Sequence, residues 1–199
     1  MLYGFVAFRW QLIYDFKEMI QSRIGEIDIR KPGGLETVLF ATGKIVFFSL
    51  AMIIPMLLHP IWIVLLVYAC ITFSVGVFIA VVFQLAHCVE EAEFPGTPPD
   101  GELMPTDWAQ HQLSTSVDFA RSNRLLTWYL GGLNFQAVHH LFPTTCHVHY
   151  PALSRILEKT CEQFNTPYKS HRTFRAALAS HYRWLKKMGQ PDLPAPALA

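Results

Sequence analysis

The stretch IWIVLLVYACITFSVGVFIAVVF, residues 61–83, decides the fold class, because its twenty-three residues include no Asp, Glu, Lys or Arg. Residues 38–58 form a second apolar stretch, with twenty-one residues and one charge, Lys44. At 1.5 Å of rise per residue, twenty-one helical residues span roughly 31 Å, which matches a hydrocarbon core of about 30 Å. His59-Pro60 interrupts the pattern between the two stretches. We therefore predict two transmembrane helices.

The composition agrees with a membrane protein. Of 199 residues, 52% are hydrophobic and 16% are charged, whereas about 25% are charged in a typical soluble domain. All sixteen Lys and Arg lie before the turn at His59-Pro60 or after the second stretch, six on the first side and ten on the second. Because positive residues favour the cytoplasmic side, both termini are predicted to be cytoplasmic. Lys44 lies near the start of its stretch, from which a long side chain can reach the headgroups.

Regions of different composition flank the apolar pair. Residues 1–16 are apolar and aromatic with two charges, which predicts an interfacial helix or the end of an upstream crossing. Pro151 and the apolar spacing after it predict an amphipathic helix over 151–164, and Ser170 is predicted to cap a helix over 171–188. We divide the chain into an interfacial helix with its connector, two transmembrane helices, a cytoplasmic region and a disordered tail: 1–37, 38–83, 84–190 and 191–199.

Shorter segments between these regions carry weaker signals. Residues 94–101 are rich in Pro and Gly and break the helical pattern. Residues 107–124 are polar and predicted to be partly helical. Residues 125–135 are apolar but too short to cross a bilayer, so they are expected to lie at the interface or to pack on the bundle. The four cysteines lack CxxC spacing, which argues against a zinc ribbon or a disulfide framework.

Three of the nine histidines lie where a metal site can form. His87 directly follows the second apolar stretch, and a helix that continues there places Gln84, His87 and Glu91 on one face. His139 and His140 are adjacent, and on a helical turn their imidazoles point about 100° apart, so each can address one of two neighbouring metal ions. Imidazole suits iron, copper and zinc alike. The alternative is a set of solvated surface histidines.

The segment QAVHHLFP, residues 136–143, resembles the last histidine box of the membrane fatty-acid desaturase family, which has the form H/Q-x-x-H-H and commonly continues with Leu-Phe-Pro. The Gln form is found in the front-end and bacterial linoleoyl-CoA-type subgroup, and Gly131-Gly132-Leu133-Asn134 before the box agrees with it. His87 corresponds to the additional ligand that the family has at the end of its last crossing. The resemblance implies His87, His139 and His140 as iron ligands. It also implies four residues that hold an imidazole N–H or bind the metal weakly: Gln136, Asn134, Glu90 and Glu91.

The resemblance implies a partial desaturase fold: an all-α membrane protein with a transmembrane helical hairpin and a cytoplasmic helical cap. The family carries a pair of irons, uses O2 and introduces a cis double bond into an acyl chain. The expected partners are an acyl-lipid or acyl-CoA substrate, membrane lipid and a cytochrome b5 or ferredoxin-type electron donor, and no nucleic acid is expected.

The chain departs from the family pattern in one large respect. The family has two earlier boxes, H-x(3–4)-H and H-x(2–3)-H-H, whereas this chain has no histidine before His59. Three imidazoles do not complete a two-iron site, so the chain is expected to be inactive alone and to need a separate N-terminal half, or to be truncated.

Other functions stay open from the residues alone. A hydroxylase or ketolase on the same scaffold uses the same ligands. A non-catalytic membrane fragment is the alternative outside enzymes. A haem protein fits poorly, because no histidine lies inside a predicted crossing. His147 and His149 are predicted to support the site, and the remaining histidines to be structural: His59, His111, His171 and His181.

Overall fold

The computed structural model describes residues 2–25, 27–96, 104 and 106–190. The described part is mostly helical and divides into two compact units, Met1–Val81 and Val82–Ala199. The predicted disordered tail at 191–199 and most of the predicted Pro/Gly break lie outside the described residues.

The first unit begins with a continuous helical stretch over residues 2–21. It comprises a 3-10 turn, α1, a π-helical turn and α2: Leu2–Phe5, Val6–Arg9, Trp10–Tyr14 and Asp15–Gln21. Ser22 then adopts a left-handed conformation with φ of 52° and ends the helix. Two short antiparallel strands follow, β1 (Arg23–Ile24) and β2 (Ile27–Asp28). The predicted N-terminal helix is present and extends to Gln21.

The first predicted crossing is one helical run of 25 residues, Gly34–Leu58. It consists of α3 (Gly34–Phe48), a π-helical turn (Ser49–Ile53) and α4 (Ile54–Leu58). Pro55 explains the π turn, because a proline ring clashes with the carbonyl four residues earlier and the helix widens to avoid it. None of its most apolar window is buried within the protein, as expected for a helix covered by lipid.

The second predicted crossing is α5, Ile61–His87, with 27 residues. It continues four residues beyond the predicted end at Phe83, so His87 lies in its last turn. By length and composition, both this helix and Gly34–Leu58 can cross a membrane. The helix stops at His87, however, and the predicted face that included Glu91 does not form.

The N-terminal helices of the first unit contact both of its apolar helices. The ammonium group of Lys44, on α3, pairs with Asp15 and also donates to the Gln11 carbonyl at 3.1 Å. Elsewhere, a Cβ at Gly76 of α5 would lie 2.6 Å from the Gly4 carbonyl oxygen. Only glycine permits this backbone approach.

The second unit contains five helices among the described residues: α6 (Trp108–Thr115), α7 (Arg124–Tyr129), α8 (Gln136–Leu141), α9 (Tyr150–Gln163) and α10 (Phe174–Met188). A 3-10 turn, His147–His149, precedes α9. The short strands β3 (Asp118–Phe119) and β4 (Ser170–His171) pair in parallel. The chain is therefore mostly helical rather than all-α.

One predicted helix start is wrong. Ser170 was predicted to cap a helix from residue 171, but Ser170 and His171 pair with β3, and α10 begins at Phe174. Thr173 is the cap, since its side chain accepts from the Ala176 amide at 3.1 Å. Ser170 pairs with Asp118 of β3, so it lies in a strand and cannot cap the helix. Thr173 has an equally suitable capping side chain and takes that position. The predicted amphipathic helix at 151–164 is confirmed as α9.

The core of the second unit lies around α8. On one side Ala137 packs with Leu113 of α6 and Cys161 of α9. On the other, Val138 packs with Phe135 and Tyr150. The first three residues of this short helix are thus buried, while His139 and His140 are half-buried at its end.

Candidate metal centre

Two of the predicted histidines and the predicted glutamine meet at one point. The Nε2 atoms of His87 and His140 lie 3.1 and 3.0 Å from the side-chain nitrogen of Gln136. The imidazole ring centroids of His87 and His140 are 5.0 Å apart. Gln136 and His140 are four residues apart on α8, so they share a face. The end of α5 brings His87 to that face.

Both imidazoles have their other nitrogen engaged. His87 Nδ1 lies 3.2 Å from the Thr115 carbonyl oxygen, and His140 Nδ1 lies 2.6 Å from the Gln112 amide oxygen. Since these oxygens are acceptors, each Nδ1 carries the proton and donates. The Nε2 lone pairs then point to Gln136, whose NH2 group can donate to both. A protonated Nδ1 and an unprotonated Nε2 is the arrangement found in metal-binding histidines.

The electrostatic environment keeps His140 neutral. Burial, together with the charges of His87 and His139, lowers the pKa of His140 to about 4. The imidazole is therefore neutral at pH 7, with one nitrogen unprotonated, as metal coordination requires.

His139 lies beside this pair and points differently. Its ring centroid is 5.8 Å from that of His140, with the planes at 71°. Its Nδ1 lies 3.2 Å from the Tyr150 hydroxyl. Within the described part of the chain, no group of three or more His, Cys, Asp or Glu side chains is close enough to hold a metal ion. These residues fit imidazole ligation by donor type and tautomer, but they do not close a complete site among themselves.

A buried aspartate fixes the start of α8. Asp118 is fully buried, and its Oδ1 accepts from the Ala137 amide at 3.0 Å. Its Oδ2 accepts from the Tyr168 hydroxyl. Burial raises the pKa of Asp118 to about 6, although these hydrogen bonds and the charge of Arg121 favour the carboxylate. Asp118 thus links the helix that carries the two histidines to β3.

The turn before α8 depends on a glycine and an asparagine. Gly132 has φ of +81°, and a Cβ there would lie 3.0 Å from atoms of His147 and Tyr150. Asn134 is fully buried, and its amide donates to the Phe119 carbonyl at 3.2 Å and the Thr127 hydroxyl at 3.0 Å. The structure therefore places Asn134 in the support of the turn rather than against an imidazole of the site.

Glu90 and Glu91 also lie apart from the three histidines. The Glu90 carboxylate accepts from Arg183 at 2.6 Å. Glu91 accepts from the Ser180 hydroxyl at 2.6 Å and lies 3.1 Å from His171 Nε2. Because α5 ends at His87, both carboxylates face α10, and Glu91 also faces β4.

Sequence reasoning missed the groups that hold the imidazoles. Gln112 and the Thr115 carbonyl come from α6, and Tyr150 opens α9. Gln112 is 28 residues from His140, so no local spacing connects them. The sequence does predict a polar, partly helical segment at 107–124, but its pattern does not indicate which of its side chains faces the site.

Comparison with known proteins identifies a family. A family model described as fatty acid desaturase matches residues 1–172. The chain is 39% identical to an sn-1 linoleoyl-lipid 6-desaturase of Arthrospira platensis, with 94% of this chain and 50% of that protein aligned. It is 35% identical to the protein of that name from Synechocystis, with 95% of this chain and 53% of that protein aligned. It is 36% identical to an acyl-lipid (8-3)-desaturase of Physcomitrium patens, with 94% of this chain and 39% of that protein aligned. The chain thus spans between 39% and 53% of the length of these relatives. No solved structure gives a significant match.

Proposed function

This chain belongs to the fatty acid desaturase family, and we propose that it forms the C-terminal part of an O2-dependent enzyme that introduces a cis double bond into the acyl chain of a lipid. The family is membrane-associated, and the chain has two helices that can cross a membrane. Family membership implies iron and a role in lipid metabolism. The named relatives act on acyl lipids, so we favour a lipid-linked substrate over acyl-CoA.

One observation carries the proposal: the convergence of His87 Nε2 and His140 Nε2 on Gln136, with both Nδ1 atoms held by protein oxygens. His87, His139 and His140 would hold iron, and Gln136, whose amide nitrogen faces both Nε2 atoms, would orient the ligands or, with its amide turned over, bind weakly through oxygen. We infer that the remaining ligands come from polypeptide outside these 199 residues. When bound, iron supplies the O2-dependent oxidation of an unactivated acyl chain.

The residues of this chain position and insulate the site. The Thr115 carbonyl and Gln112 keep the protons of His87 and His140 on Nδ1, and the Tyr150 hydroxyl orients His139. Asp118 fixes the start of α8, and apolar packing around Ala137 and Val138 excludes water from its buried face. Rigid support of this kind lowers the cost of arranging ligands at the reacting centre.

The proposal includes a topology and two partners. Gly34–Leu58 and Ile61–His87 form a transmembrane hairpin whose ends are cytoplasmic, and residues 84–190 form a cytoplasmic cap. The charge distribution on the two sides of the turn supports this orientation. Electrons come from a cytochrome b5 or ferredoxin-type donor, and membrane lipid surrounds the hairpin.

The test is co-expression of this chain with the N-terminal half of the Arthrospira platensis relative in a host that supplies linoleoyl lipids. The expected result is a new cis double bond in the extracted acyl chains, which needs both halves and is lost with His140→Ala. A hydroxylated or keto product identifies the alternative chemistry on the same scaffold. No modified acyl chain together with no bound iron identifies a non-catalytic membrane fragment and contradicts the proposal.

A further inference from the structure

A cleft of about 710 Å³ in the second unit is lined by none of the three histidines and contains three arginines. We propose that this cleft binds the phosphate of a glycerophospholipid headgroup. The inference rests on the proposed function, because it names the class of lipid that the enzyme takes. The residues that carry the argument are Arg121, Arg124, Arg155, Trp128, Val148 and Glu158.

The charge of the cleft favours an anion. Arg121 is neutralised, since its guanidinium donates to both oxygens of Glu158 at 3.0 and 2.8 Å and to Ser154 at 3.0 Å. Arg124 and Arg155 are exposed, and neither pairs with a carboxylate among the residues that the structure describes. Arg155 donates through Nε to the Pro151 carbonyl at 3.1 Å, which orients the group and leaves its outer nitrogens for a ligand. Two guanidinium groups suit phosphate, because arginine donates to it in a bidentate fashion.

The surroundings of the cleft favour a lipid over a free anion. Three large side chains on α7 face solvent: Leu125, Trp128 and Tyr129 are 75%, 76% and 65% exposed. Trp and Tyr beside positive charge are typical of the boundary between headgroups and acyl chains. Trp128 and Val148 also line the cleft, so an anionic group can bind at the arginines while apolar atoms of the same molecule contact these side chains.

The shape of the cleft favours a small molecule over a protein partner. Pockets that bind small ligands are concave, largely apolar and roughly 300 to 1,000 Å³ in volume, which includes the cleft described here. An acidic electron donor needs a broad surface rather than a cavity of this kind.

The experiment is native mass spectrometry of the 199-residue chain in detergent, with equimolar phosphatidylglycerol and monogalactosyldiacylglycerol of matched acyl chains. The expected result is preferential retention of phosphatidylglycerol. The double variant Arg124→Gln with Arg155→Gln should reduce that retention about tenfold, since charge-assisted hydrogen bonds to phosphate are lost. Arg124→Lys with Arg155→Lys should lose less. The matched control is Arg172→Gln with Arg175→Gln, which removes the same charge from exposed arginines elsewhere in the unit.

Four results would overturn the inference. They are equal retention of both lipids by the unaltered chain, an equal loss in the control variant, and displacement of the lipid by equimolar inorganic phosphate. The fourth is binding of an acidic ferredoxin-type protein that depends on Arg124 and Arg155 while phosphatidylglycerol binding does not. The measurement requires no iron, so its failure leaves the iron and double-bond tests unaffected, and their failure leaves lipid binding to be judged separately.

Discussion

The amide oxygen of Gln112 lies 2.6 Å from Nδ1 of His140, and this contact determines which nitrogen of the imidazole carries the proton. Gln112→Ala removes the acceptor and allows the proton to move to Nε2. We expect a loss of about 10- to 100-fold in iron affinity, which is the usual cost of removing such a partner. The measurement is residual iron after dialysis of the complete two-part enzyme against a graded series of chelator concentrations.

Gln110 provides the control for this experiment, because it lies exposed on the same helix. Gln110→Ala should leave the chelator midpoint unchanged. If Gln112→Ala and Gln110→Ala release iron at the same chelator concentration, Gln112 does not position His140.

Asp118 should be required for the stability of the second unit. Asp118→Ala leaves the buried Ala137 amide without its acceptor and removes one of two hydrogen-bond partners of the half-buried Tyr168 hydroxyl, which we expect to cost about 3 kcal/mol. Asp118→Asn keeps an oxygen for the Ala137 amide and should cost about 1 kcal/mol. Thermal unfolding in detergent, followed by circular dichroism, measures both. Equal destabilisation by the two variants would show that the retained oxygen contributes nothing.

Removing one partner of the ion pair between Lys44 and Asp15 should destabilise the folded chain, because the other charge is left unpaired. The Lys44 side chain is only 18% exposed, so Asp15→Asn leaves a poorly solvated ammonium and should cost about 2 kcal/mol. The double variant Asp15→Asn with Lys44→Met removes both charges and should recover most of the loss. The measurement is the unfolding midpoint of Asp15→Asn, of Lys44→Met and of the double variant. Strict additivity of the single effects would contradict direct coupling.

The pair Arg121 and Glu158 should make stability depend on pH in a defined direction. The hydrogen bond from Arg121 lowers the pKa of Glu158. A carboxyl group with a lowered pKa in the folded chain stabilises it above the unfolded pKa of about 4.3, and that stabilisation is lost as pH falls through the folded pKa. Glu158→Gln should therefore lower the unfolding midpoint at pH 7, and the difference should shrink on acidification.

The effect of Glu158→Gln should stay below about 1 kcal/mol, since the Glu158 side chain is 39% exposed and solvent screens the pair. Glu162→Gln, an exposed glutamate of the same helix, is the control and should show no such trend. A difference for Glu158→Gln that grows toward low pH would contradict the assignment.

The sequence predicts helices well where the signal is local and fails where a distant partner decides. Absence of charge over residues 61–83 is sufficient to predict α5, and the spacing after Pro151 is sufficient for α9. Ser170 has a capping side chain, but it pairs with β3, and no local pattern reveals that partner. The end of α5 at His87 likewise depends on the second unit, where the Val117 amide donates to the Ala86 carbonyl at 2.9 Å.

For the candidate site, the motif contains Gln136 and His140, which contact each other in the structure, but it does not reveal the groups that support them. Gln136 and His140 are four residues apart on a helix, so their contact follows from the sequence once the helix is assigned. Glu90 and Glu91 are predicted as acceptors from their closeness to His87 in the chain. The true acceptor for His87 is the Thr115 carbonyl, a backbone group that any residue type supplies.

The most direct test of the central claim is iron per chain, measured by elemental analysis on the complete two-part enzyme. His87, His139 and His140 are each changed to Ala, and His59→Ala, an exposed histidine at the turn between the two apolar helices, serves as the control. If the three histidines share one iron site, each of the three variants loses iron and the control retains it. Full iron content in all three variants would contradict the claim.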